Sequence, residues 1–152
     1  MADERVVGIF EKHRRRVLSV LPDAEVCLSG SALVADIKVD DVDLVALVTD
    51  VAGAAERLRD LYPPLYEDES PLYEDEWRDD WAAFRTPSSP QVDIVVTRRG
   101  TKGDAHHRRA WDLLATDDRL LADYRALKAT SENYAERKAA FFERVVSLLP
   151  NV

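Results

Sequence analysis

The 152-residue chain has little of what staples, anchors or charges a protein positively. One cysteine, Cys27, excludes an internal disulfide and fits a reducing compartment. Long apolar runs are absent. The stretch Leu44-Val45-Ala46-Leu47-Val48 is among the longest, whereas a membrane-spanning helix needs roughly 20 such residues, so no transmembrane segment is expected. The start, Met1-Ala2-Asp3-Glu4, has neither a basic leader nor an apolar signal core, and a cytoplasmic location is expected. Positive charge is in deficit, with 21 Lys and Arg against 29 Asp and Glu for a net of -8. This argues against a nucleic-acid binder, because affinity for phosphate backbones comes mainly from Lys and Arg.

With 46% hydrophobic and 33% charged residues, disorder and fibrous architectures are excluded. The length suits one domain spanning 1–152 around one core. Charge is unevenly placed. Residues 66–80 hold eight acids against Arg78, which nearly accounts for the whole net charge. Residues 98–109 reverse the sign, with Arg98, Arg99, Lys102, Arg108 and Arg109 against Asp104, and offer a place for a small anion.

Hydrophobic periodicity predicts a helix over about 3–21, with His13 to Arg16 turned mostly outward and Pro22 ending it. A short strand over 25–28 runs into a Ser29-Gly30-Ser31 turn. The β-branched run 42–48 reads as a strand buried on both faces, and Asp50 caps a helix over about 51–62. After the acidic excursion a strand is expected around Trp81 to Arg85, a turn at 87–90, and a third strong strand over 91–97. Helices follow over about 104–115, 117–129 capped by Thr116, and 132–149 capped by Ser131. The fold class is therefore α/β (α+β), a small mixed sheet flanked by helices with a helical C-terminal third.

Asp41 and Asp43 stand two apart on a strand and so share a face. Acid-x-acid spacings arise about five times by chance in such a composition; these two are singled out because their strand continues into a buried apolar run. Asp93 interrupts another apolar strand, where a charge without a partner is costly. Three converging carboxylates repel unless a divalent cation neutralises them, and oxygen-only ligands suit magnesium or manganese rather than zinc. The competing reading for Asp93 is a structural ion pair with an arginine.

Gly30-Ser31 follows the first strand, and such a pair lets backbone approach a phosphate while the hydroxyl holds its oxygens. The order strand, Gly-Ser, two aspartates on a strand, then a third aspartate on a later strand resembles the nucleotidyltransferase superfamily that includes DNA polymerase β. The later stretch Tyr124-Arg125-Ala126-Leu127-Lys128, with Tyr134, Lys138 and Phe141 in Tyr-x-x-x-Lys-x-x-Phe, resembles the GrpB-like family of that fold. The two resemblances cover about residues 25–146. The chain departs from the family pattern in having Ala32-Leu33-Val34 after Gly30-Ser31, and in carrying Asp93 where many relatives carry histidines.

The resemblance implies that Asp41 and Asp43 bind two metal ions (Mg2+ or Mn2+) that grip a nucleoside triphosphate, with ATP the expected one. It implies that Asp93 completes the site and serves as general base, and that Gly30, Ser31 and Lys128 contact the nucleotide. For Lys128 a solvated helix lysine is the equal alternative. The implied reaction moves a nucleotidyl group to an unidentified small-molecule or protein acceptor. A ligase that activates a carboxylate with ATP, and a silent antitoxin-like module engaging a protein partner through 66–80, are the alternatives. His106-His107 have the wrong spacing for a helical metal site and sit with the basic stretch. Cys27 reads as core, and Trp111, Phe141, Phe142 and Val145 as packing of the helical third. Trp77 and Trp81 are candidates for an acceptor or partner surface.

Overall fold

A computed structural model describes residues 4–34, 41–64, 81–86, 88, 90–130 and 132–150. The acidic segment 66–80 with Trp77, and the expected cap Ser131, lie outside the described residues. Helix α1 (Glu4–Val20) leads to strand β1 (Glu25–Ser29), which runs straight into one 3-10 turn, Gly30–Leu33. Strand β2 (Asp41–Leu47) is followed by α2 (Val51–Leu58), whose cap Asp50 accepts from the Gly53 N–H at 3.1 Å. Strands β3 (Trp81–Thr86) and β4 (Gln91–Thr97) complete the sheet. The C-terminal part is helical: α3 (Lys102–Asp104), a π-helical turn (Ala105–Arg109), α4 (Ala110–Thr116), α5 (Asp118–Lys128) and α6 (Tyr134–Ser147).

The four strands lie in the order β1-β2-β4-β3. The central pair β2 and β4 is parallel, and both edge strands run antiparallel to their neighbours. Alternation along the strands separates two faces. Val42, Leu44, Ala46, Val92, Ile94, Val96, Ala82 and Phe84 point to one side, where Val6, Val17, Leu58 and Tyr62 from α1, α2 and the following turn close the main core. The other face carries Asp41, Asp43, Asp93 and Arg85 toward the C-terminal helices, which have an apolar cluster of their own around Leu114, Tyr124, Phe141, Phe142 and Val145. The mixed sheet and helical C-terminal third agree with the sequence reading.

Several local expectations differ. His13 is buried rather than outward, its Nδ1 2.8 Å from the Tyr62 hydroxyl, so a helix turn that reads as a charged face contributes one side chain to the core. Burial, then the charges of Lys12 and Arg16, lower its pKa. Helix α5 is capped by Asp117, not Thr116: the carboxylate accepts from the N–H groups of Arg119 and Leu120, while the Thr116 hydroxyl turns back to the carbonyls of Asp112 and Leu113. An ionised acceptor facing two orphan N–H groups is the stronger cap. Helix α6 begins after Asn133, which takes a left-handed φ of 52°.

Three arginines of the basic stretch are engaged within the fold. Arg99 pairs with Glu25 and Arg109 donates to the Pro150 carbonyl. Arg108 clasps the fully buried Asp104 through two hydrogen bonds of 2.6 and 2.9 Å. Trp81 is buried at the start of β3 and lines the cavity between the sheet and the C-terminal helices.

Candidate active site

The strand register explains how four polar residues come together. Ser29 lies opposite Asp43, Asp43 opposite Asp93, and Arg85 opposite Asp93, so one row of the sheet reads Ser29, Asp43, Asp93, Arg85 across β1, β2, β4 and β3. Residues directly opposite share a face and lie close enough for their side chains to interact. Asp41, two residues before Asp43, joins them on the same face. The three carboxylates offer oxygens that all lie within 4.8 Å of one another.

They line a cavity of about 780 Å³ between the sheet and the C-terminal helices. Gly30 and Ser31 form its rim beyond β1. Gly30 has a φ of 70°, and a Cβ there would sit 2.2 Å from the Asp43 carboxylate, so only glycine lets the turn lie against that acid. Lys128 of α5 and Lys138 of α6 reach the cavity from the helical wall, their ammonium groups 5.8 and 6.0 Å from the centre of the Tyr134 ring. All six site residues expected from the sequence (Asp41, Asp43, Asp93, Gly30, Ser31 and Lys128) line this cavity. A second cavity of about 620 Å³, reached from the opposite end of β2 and bordered by Asp50, Arg57 and Arg99, contains none of them.

The electrostatics follow from the crowding. Burial, then repulsion by Asp41 and Asp93, push the Asp43 carboxyl up to about 7, against the opposing pull of Lys138 and Arg85. At neutral pH the cluster is therefore poised between holding a proton and holding a cation. An all-oxygen donor set of this charge fits magnesium or manganese. Asp93 is engaged differently: Arg85 donates from Nε to one carboxylate oxygen at 2.7 Å and from Nη2 to the other at 3.1 Å. The ion pair considered for Asp93 from the sequence is present, and it lies inside the site.

The π-helical turn brings His107 into the cavity wall, where its ring packs on Trp81 with centroids 5.1 Å apart. Ser29 Oγ donates to the His107 carbonyl and ties this turn to the end of β1. The His107 Nε2 is buried with no hydrogen-bond partner among the described residues, and burial pulls the imidazole down to about 4, helped by His106. A buried polar atom left unpaired in a cavity wall is a place for a ligand to bond. Trp111, Tyr124 and Phe142 add an aromatic wall. The Tyr124 phenol is held protonated well above its usual range, by burial first and then by Tyr134 and the charges of Asp41 and Asp43.

Sequence reasoning missed Arg85 and His107 as parts of the site. The signal for Arg85 was its place in β3, at even spacing from Trp81 and Ala83, but using it requires knowing that β3 pairs with β4. His107 was weighed as a metal ligand and as a member of the basic stretch, not as a neighbour of the three acids, and π-helical turns, which recur at functional sites, leave no reliable trace in a sequence.

No family model matches the chain, and no curated protein does. Among solved structures it is similar to the crystal structure of the conserved protein GrpB from Enterococcus faecalis, with a TM-score of 0.71 and 14% identity over 96% of this chain and 93% of that one. At that identity the likeness is one of architecture, and the chain has the fold of GrpB.

Proposed function

We propose that the chain is a magnesium- or manganese-dependent nucleotidyltransferase that moves a nucleotidyl group from a nucleoside triphosphate, ATP foremost, to a small-molecule or protein acceptor. The observation that carries this reading is the convergence of Asp41, Asp43 and Asp93 within 4.8 Å in one cavity that also holds Gly30, Ser31 and Lys128. In this reading Asp41 and Asp43 hold the cation. A bound divalent cation would supply charge neutralisation at the reacting phosphate and at the departing pyrophosphate. Gly30 lets the turn lie against Asp43, the Ser31 hydroxyl donates to the phosphate oxygens, and Lys128 and Lys138 balance their charge from the helical wall.

An acceptor oxygen attacks the α-phosphorus, the new P–O bond forms, and the bond to the bridging oxygen breaks to release pyrophosphate. With a hydroxyl acceptor its proton must leave. The base expected from the sequence, Asp93, shares one bond on each oxygen with Arg85 and keeps a second lone pair on each for an acceptor proton; a phosphate or carboxylate acceptor needs no base. The aromatic wall of Trp111, Tyr124 and Phe142 suits a planar group of nucleotide or acceptor.

The test is to incubate the protein with each of the four α-labelled triphosphates, magnesium and a cell extract, and to follow label transfer and pyrophosphate. The proposal expects both, abolished in Asp41→Asn. Hydrolysis or transfer that is unchanged in that variant, or no turnover of any triphosphate, contradicts it; the latter is what a silent interaction module would show.

A further inference from the structure

We infer that Arg85 takes the place of a second divalent cation at Asp93, so that the site holds one cation per chain, on Asp41 and Asp43. The inference rests on the reading of the carboxylates as a cation site and specifies its stoichiometry. Arg85 is directly opposite Asp93 in the antiparallel β3–β4 pair, and its fork covers both carboxylate oxygens, at 2.7 and 3.1 Å. A planar guanidinium in this bidentate arrangement fills the side on which a metal would chelate both oxygens, and it neutralises the single charge of Asp93, which lowers the pull on a second cation. The remaining pair, Asp41 and Asp43, carries the two charges that one divalent cation matches.

The Asp93 side chain is 13% exposed, so Arg85 is its close neutralising partner and water contributes little. A feature independent of the acids marks the same cavity as made for an occupant: the buried His107 Nε2, unpartnered among the described residues, lines it. Arg85 itself lines that cavity.

The test titrates Mn2+ alone into the native protein, Arg85→Gln, Asp93→Asn and Asp43→Asn, counting bound ions from the loss of the free-ion paramagnetic resonance signal and checking each fold by circular dichroism. The inference expects one ion in the native protein, one of similar affinity in Asp93→Asn, two in Arg85→Gln, and at least a tenfold weaker site in Asp43→Asn. Two ions on the native protein, a tenfold loss of affinity in Asp93→Asn, or a single ion on folded Arg85→Gln each overturn it while leaving the cation site standing. No ion on the native protein overturns the cation reading itself. Should Arg85→Gln fail to fold, the native and Asp93→Asn titrations decide the question.

Discussion

Asp43→Asn should stabilise the metal-free protein at alkaline pH while removing its function. The native carboxyl is raised from 3.8 to about 7. A raised acid is protonated more readily folded than unfolded, so stability is greatest below the unfolded value and falls as pH rises through the folded one. Integrated over that shift, the penalty is about 1.5 kcal/mol at pH 5 and reaches about 4 kcal/mol at pH 8.5, since each pKa unit is worth about 1.4 kcal/mol. Asparagine removes the repelling charge, and its amide can donate to the neighbouring carboxylates. Roughly half of the gain is lost to the partly buried amide itself, leaving about 2 kcal/mol at pH 8.5. For a chain of this size that is a rise in Tm of about 4–8 °C.

Urea denaturation of both proteins with a chelator, at pH 8.5 and pH 5, reads this directly. The gain should nearly vanish at pH 5, and shrink at pH 8.5 when millimolar magnesium replaces the chelator, because the cation relieves the native cluster only. An Asp43→Asn protein no more stable than native at pH 8.5, or a gain independent of pH, refutes the electrostatic account of the site.

Two further outcomes follow from the cavity walls. His107, buried and held at about 4 against an ordinary 6.5, has a depressed folded value; its contribution is intact above pH 6.5 and lost as pH falls through 4. Between pH 7 and 4.5 this costs about 2.5 kcal/mol, and chemical denaturation should show that much less acid sensitivity in His107→Asn; equal acid sensitivity in both proteins contradicts it. Gly30→Ala, forced into a left-handed φ with its Cβ against Asp43, should lose about 1–3 kcal/mol of stability and most triphosphate affinity by calorimetry; native affinity in this variant would show that the turn does not abut the acid.

The sheet was legible where burial alternates strongly. Strand β4 matches its predicted span of 91–97, and the acids were found because Asp93 interrupts that run and Asp41 and Asp43 precede another. What was hidden depends on long-range pairing. Arg85 meets Asp93 only through the β3–β4 register, and the partner of Arg99, Glu25, is 74 residues away in sequence. The basic stretch therefore read as a run of unpaired cations, whereas Arg99, Arg108 and Arg109 are paired within the fold. His13 looked solvated because its neighbours Lys12, Arg14, Arg15 and Arg16 are charged, while its own position on the helix faces Tyr62. At the start of α5, Thr116 and Asp117 are adjacent and both are good caps, so one-residue precision was not available from composition alone.

The claim that Asp41 and Asp43 bind a triphosphate through a divalent cation is tested most directly by calorimetric titration of a non-hydrolysable ATP analogue. The native protein and the three aspartate-to-asparagine variants are compared with magnesium and with chelator. Binding by the native protein with magnesium, its loss with chelator, a drop of at least tenfold in Asp41→Asn and Asp43→Asn, and near-native affinity in Asp93→Asn are the expected results. Affinity that survives the chelator, or that is unchanged in Asp41→Asn and Asp43→Asn, would contradict the account.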